Sequence, residues 1–336
     1  MTTRWQTDMA EAVRDPRELL ELLELDPVLL EPARRAAAAF PLRVPRAFLA
    51  RIAKGDPADP LLRQVLPLGR ELEQVPGYVQ DPVGDMPSLA AQGVLHKYQG
   101  RVLLITTGAC GVHCRYCFRR HFPYAEANAR SGEWRDALEY LKADTSVHEV
   151  ILSGGDPLSL SDERLATLVG ALEDIPHIRR LRIHTRQPVV LPSRVDDRLL
   201  AWLAACRLQK VVVLHVNHAR EMDEAVHDAC ARLRAAGATL LNQTVLLRGV
   251  NDSADALAEL SEALFATQVL PYYLNLLDPV AGAAHFDVPE TEALALMEAL
   301  RARLPGYLVP KLVREVPGAP SKMPVTSAAG SVADAE

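Results

Sequence analysis

Arg101-Val-Leu-Leu-Ile-Thr106 is a short, apolar, β-branched run that stops just before a cluster of cysteines. Similar runs recur at Glu149–Leu152, Leu181–His184, Lys210–His215, Thr239–Leu246 and Val269–Leu276. Helix-like segments lie between and after them, at Trp134–Lys142, Asp162–Leu172, Asp197–Cys206, Met222–Ala236, Ala254–Phe265 and Glu290–Leu304. Near-continuous apolar strands alternating with amphipathic helices, about thirty residues apart, read as βα units around a parallel sheet. The expected class is α/β, a partial or full TIM-like (β/α) barrel of about six parallel strands.

Outward from the barrel, residues 1–95 read as a helical N-terminal extension. Asp15-Pro16 supplies an N-cap followed by proline at the first helical position, and Leu19, Leu20, Leu22 and Leu23 follow with acids between. Further helices are expected from Pro27 to Phe40 and over Pro45–Lys54, then an irregular linker from Pro57 to Pro87. The barrel is assigned 96–315. Residues 316–336 form a C-terminal loop, with a loose tail from about Val325.

The 336 residues carry a net charge of −6, which argues against a nucleic-acid reader. No apolar run approaches the ~18 residues that cross a bilayer, and the N-terminus lacks the order of a signal peptide. A cytoplasmic protein without membrane contact is expected. Five cysteines, three of them within eight positions (Cys110, Cys114, Cys117), point to metal or catalytic use rather than a disulfide framework.

Cys110-x3-Cys114-x2-Cys117 offers three thiolates from one loop. A structural zinc ion wants four ligands, and no second CxxC exists; His113 or His121 would have to complete the set. Cys206 and Cys230 read as mid-helix core residues. On a four-iron cluster, three cysteines leave one iron open to a small molecule. Polar residues also close the later strands: Ser153-Gly-Gly-Asp156, His184-Thr-Arg186, His215-Val-Asn-His218, Asn242-Gln243 and Asn275–Asp278. The carboxyl ends of parallel strands are where such folds place their working groups.

With Tyr116 as the aromatic residue before the last cysteine, the loop resembles the cluster loop of the radical S-adenosylmethionine (SAM) superfamily. Ser153-Gly-Gly-Asp-Pro157 is similar to that superfamily's cofactor-binding Gly-Gly-Glu/Asp element. His96-Lys-Tyr-Gln-Gly-Arg-Val-Leu-Leu104, Cys114-Arg-Tyr-Cys-Phe-Arg-Arg-His121, Leu240–Asp252 and Gly306-Tyr-Leu-Val-Pro310 resemble the lysine 2,3-aminomutase family over roughly 95–325. Leu42-Arg-Val-Pro-Arg46, Asp59–Val65, Arg119–Ala125 and Gly282-Ala-Ala-His-Phe286 resemble its elongation factor P (EF-P) β-lysylation branch.

The resemblance implies an isomerase converting L-lysine to (R)-β-lysine for EF-P modification. Its cofactors would be a [4Fe-4S] cluster, SAM and pyridoxal 5′-phosphate. Its partners would be an electron donor such as flavodoxin or ferredoxin, EF-P with its β-lysyl ligase, and a second copy in a homo-oligomer. Alternatives are an aminomutase of another amino acid such as ornithine, a radical enzyme acting on RNA or protein, and a metal-binding interaction protein.

By position, the resemblance makes Cys110, Cys114 and Cys117 the metal ligands and Lys322 the pyridoxal lysine, one of only six lysines. Arg101 and Tyr98 would contact pyridoxal phosphate; Tyr116, Gly154, Gly155, Asp156, His215 and Gln243 would lie on the cofactor side. Arg119 would clamp the substrate carboxylate, with Asp278 and Glu315 at the distal ammonium. Glu315 stands where the family has Asp, one methylene longer.

Overall fold

The computed structural model describes residues 3–127 and 134–326. One ten-stranded sheet, with strands in sequence order, organises them. β1 (Leu89–Ala91), β2 (Val94–Tyr98) and β3 (Arg101–Thr107) are antiparallel neighbours. From β3 the sheet runs parallel through β4 (Glu149–Gly154), β5 (Arg180–Thr185), β6 (Gln209–Leu214), β7 (Thr239–Val245), β8 (Leu270–Asn275) and β9 (Lys311–Arg314). β10 (Met323–Pro324) returns antiparallel on β9. β1 and β10 are the two edges, so the barrel is partial. Seven strands are parallel where about six were expected. The extra one, β9, is a four-residue Lys-Leu-Val-Arg run, too short and too charged at its ends to stand out.

Helices Arg135–Ala143, Asp162–Glu173, Asp197–Ala205, Glu224–Ala235, Ala254–Ala266 and Glu290–Arg303 fill the six crossovers. Asp196, Asp223 and Ser253 cap three of them by accepting from backbone N–H groups in the first turn. Their apolar faces cover the outside of the sheet. Leu104, Leu152, Leu181, Ile183, Val212 and Leu240 pack there against Leu141, Leu168, Leu199 and Leu233. Cys206 and Cys230 both belong to this core as expected, although Cys206 caps the end of its helix instead of lying within it.

Strand side chains alternate in direction. Once Leu181 and Ile183 face the helices, Arg182 and His184 must face inward. The same parity turns Arg101, Ser153, Gln243, Tyr273 and Asn275 toward the interior cavity.

The N-terminal segment is helical only in short pieces, Arg4–Ala10, Pro16–Leu22, Leu30–Ala39, Arg46–Leu49 and Pro60–Arg63. It ends in strands β1 and β2, which the helical reading did not foresee. Leu19, Leu23, Phe48, Leu61, Leu62 and Val65 form a second core that includes Val112 of the cysteine loop and Val190 after β5. The segment therefore buttresses the cysteine loop from behind. At the other end, Val325 is buried and its N–H donates to Leu312 O. That ties down the start of the stretch expected to be loose; residues from 327 lie outside the described ones.

Candidate active site

One cavity of about 500 Å³ occupies the barrel interior, within the usual range for small-molecule sites. Its wall includes every residue to which the resemblance gives a metal, cofactor or substrate role, Cys110, Cys114, Cys117 and Lys322 among them, but not His113 or His121.

The cysteine loop follows β3 and is held by backbone packing on the turn after β4. Gly154 has φ +125°, and a Cβ there would stand 2.5 Å from Thr107 O. A Cβ on Gly155 would stand 2.4 Å from Ala109 O. Only glycine allows these two chains to approach so closely. Asp156 does not reach into the cavity as a free acid. Its oxygens accept from Leu158 N, Thr185 Oγ1, Arg186 N and Gln187 N at 2.7–3.1 Å, so the side chain ties β4 to β5.

Beneath the loop lies a buried polar knot that the sequence reading missed. Arg186 donates to Cys114 Sγ (2.8 Å), Tyr116 Oη (2.6 Å) and Gln64 Oε1 (2.6 Å), and pairs with Glu221 (3.0 Å). Asn217 also donates to Tyr116 Oη and Gln64 Oε1. On the loop's other flank, buried Glu71 binds Arg115 and Arg120. The sequence signals were the polar strand ends at His184-Thr-Arg186 and His215–His218. Gln64 and Glu71 come from the extension; Gln64 lies in the Asp59–Val65 stretch, whose only signal was the family resemblance, and Glu71 gave none.

Burial, then the neighbouring thiols, raise Cys110 well above the ordinary thiol value and Cys117 to about 11. Without a metal they are protonated thiols; a coordinating cation would deprotonate them. Among the described residues no three His, Cys, Asp or Glu groups converge to chelate a single ion. Cys110, Cys114 and Cys117 all line the cavity, and cysteine thiolates are the usual ligands of an iron–sulfur cluster. His184 and His215 line the same cavity with Nε2 buried and unpartnered. Burial lowers both, with help from Arg182 beside His184; His215 falls to about 3, so both rings are neutral. Orphaned polar atoms in a roomy cavity fit a bound polar ligand.

At the far end, Lys322 Nζ donates to Asn275 Oδ1 (3.0 Å) and pairs with Glu315 (3.1 Å). Tyr98 donates to Glu315 (2.6 Å), and the Arg101 guanidinium lies 4.6 Å from the Tyr98 ring centre. Arg119 is buried, bound to Asp85 (2.7 Å) and Ser153 Oγ (3.1 Å). Asp85, also missed from the sequence, bridges Arg119 to Lys97 (2.7 Å). Burial raises Asp278 to about 6 against the pull of Lys322.

Over 322 residues the chain is 52% identical to L-lysine 2,3-aminomutase of Escherichia coli (strain K12), covering 96% of this chain and 94% of that one. The chain belongs to the L-lysine 2,3-aminomutase family. The enzyme of that name from Haemophilus influenzae is 48% identical over 95% of this chain and 94% of its own. That of Clostridium subterminale is 34% identical over 96% and 77%. The model of the Radical SAM superfamily matches residues 104–260, from within β3 into the helix before β8. As a member of the aminomutase family, the chain presents a three-cysteine loop and a cavity-facing lysine in a single enclosure, with polar groups fit for a cluster, SAM and pyridoxal phosphate.

Proposed function

We propose that this protein is a 2,3-aminomutase converting L-lysine to (R)-β-lysine, and that its product serves the modification of EF-P. The carrying observation is the single cavity that joins Cys110, Cys114 and Cys117 to Lys322. When bound, the iron–sulfur cluster with SAM supplies a hydrogen-abstracting radical, and pyridoxal phosphate supplies the carrier for the migrating amino group.

The chain's own residues position and enclose. Cys110, Cys114 and Cys117 would hold the cluster, with Arg186 beneath Cys114. Gly154 and Gly155 let the turn after β4 pack against the cysteine loop on the SAM side of the cavity, which neutral His215 and Gln243 also line. Arg101, with a planar fork suited to phosphate, and Tyr98 flank the Lys322 end. Arg119 would take the substrate carboxylate in place of Asp85, and Asp278 the distal ammonium. Fixing the two ends of the amino acid sets the place of its β-carbon, and the sheet with its outer helices keeps water from a radical.

An electron donor such as flavodoxin or ferredoxin would reduce the cluster, and a product used on a translation factor is needed in the cytoplasm. Among the described residues no helix is long and apolar enough to cross a membrane. The test is anaerobic reaction of the reconstituted protein with L-lysine, SAM and dithionite, followed by separation of α- from β-lysine. β-Lysine is expected. Turnover of ornithine with lysine untouched would overturn the substrate, and zinc-loaded protein with no cofactor absorbance would overturn the activity.

A further inference from the structure

Two carboxylates stand at the Lys322 end of the cavity, and the chain's own donors treat them differently. Glu315 is nearly enclosed, with its side chain 11% exposed. Its Oε1 accepts from Tyr98 (2.6 Å) and lies 3.5 Å from Lys97 Nζ, while its Oε2 lies 3.1 Å from Lys322 Nζ. Burial works against its ionisation, but Lys322, the Tyr98 hydroxyl and Lys97 hold it below the usual glutamate range. No ion pair reaches Asp278 among the described residues, and burial leaves it the harder of the two to ionise.

We propose that Glu315 is a positioning residue for Lys322, and that Asp278 alone reads the distal ammonium of the substrate. The second half rests on the lysine aminomutase reading; the first does not. A carboxylate has about four lone-pair sites, and three donors of this chain already lie against Glu315. A substrate ammonium arriving there would have to displace Lys322 or Tyr98. Asp278 has no such occupant, and an incoming cation removes the cost of ionising it.

Lys322 also needs the tether. It lies on the Pro/Gly loop before β10 rather than on the regular part of the barrel, and loop-borne groups are held less exactly than strand-borne ones. Glu315 after β9 and Asn275 at the end of β8 grip its nitrogen from two strands. The extra methylene of Glu over the family's Asp gives the carboxylate the reach to touch Tyr98 and Lys322 together.

The test uses full-length protein carrying its cluster and pyridoxal phosphate. Its readouts are the pH midpoint of the bound pyridoxal absorbance, together with kcat and KM for L-lysine. The charged or titratable groups around the Lys322 nitrogen are Glu315, Asp278, Lys97, Tyr98 and His184. Glu315→Gln removes the contacting negative charge, so the midpoint should fall by about one pH unit or more. Its kcat should fall about tenfold while KM stays within about threefold. Asp278→Asn should raise KM about tenfold or more and move the midpoint less than half as far.

A Glu315→Gln protein with a tenfold higher KM and an unmoved midpoint would overturn the assignment. If that variant fails to retain pyridoxal phosphate, Glu315→Asp replaces it. The shorter arm should lower the midpoint less than Gln does and leave KM in place; a raised KM alone would again overturn the proposal. A wild-type protein with the spectral titration but no β-lysine would sink the lysine reading and leave the Glu315–Lys322 relationship standing.

Discussion

The guanidinium of Arg186 donates to Cys114 Sγ across 2.8 Å while pairing with Glu221 at 3.0 Å, with Arg186 and Glu221 both buried. A fixed positive charge thus sits against one of the three thiols, anchored by an acid from another strand end. Arg186→Met would strand Glu221 as an unpaired buried charge. A loss of about 3–5 kcal/mol is expected in denaturant unfolding, with a drop in iron retained per chain. Adding Glu221→Gln should recover part of the stability but not the iron. Independent, additive effects of the two changes would show that the pair does not act as a unit.

Gly155 tests the packing of the turn after β4 on the cysteine loop. In Gly155→Ala the new Cβ would stand 2.4 Å from Ala109 O and 2.8 Å from Gly108 C, both backbone atoms that cannot swing aside. About 1–3 kcal/mol of destabilisation is expected, with SAM affinity reduced at least about tenfold. Pyridoxal content should be unchanged, because Lys322 is held through Glu315 and Asn275 rather than through this turn. Calorimetric titration with SAM and cofactor absorbance read the two effects separately.

Separate ends predict separable losses. Lys322→Ala should abolish the absorbance of lysine-bound pyridoxal phosphate while iron content holds. Cys114→Ala should do the reverse, losing iron and keeping pyridoxal phosphate. An intact lysine-bound spectrum in Lys322→Ala would mean that another lysine carries the cofactor, with Lys97 next to examine because it lines the same cavity.

Asp278 predicts a pH dependence whose sign follows from its burial. Its carboxyl titrates at about 6 in the folded chain against 3.8 for the free group. Between those values the folded state holds a proton that the unfolded state has released. The ligand-free protein should therefore lose stability as pH rises through this window, by up to about 3 kcal/mol. Urea unfolding between pH 4 and 7 measures the loss, and Asp278→Asn should flatten it. An equal slope in the variant would assign the dependence to other groups.

Much of this molecule is legible because its chemistry is local in sequence. The cysteine triplet, the Ser-Gly-Gly-Asp turn and the helix bounds depend on spacing within one loop or one element, where periodicity and turn chemistry act. His184 was read among the polar strand ends, and Arg182 was readable in principle, since the Arg-Leu-Arg-Ile-His-Thr pattern of β5 alternates where the other strands are apolar. Asp85, Gln64, Glu71 and Glu221 were not. Each is an acid or amide in a segment whose pattern is irregular, and its role depends on a partner between 34 and 157 positions away.

The sequence by itself determined the βα order and the three-cysteine loop, because each is set by residue type and short-range spacing, whereas Lys322 stood out among six lysines only through the family resemblance. Only the tertiary structure decided which charges meet. It placed Asp85 on Arg119, Arg186 on Cys114, and Glu315 on Lys322 rather than leaving it free beside Asp278. The physical reason is that a buried charge must find a partner, and chain closure around the cavity, not sequence proximity, settles which partner lies within reach.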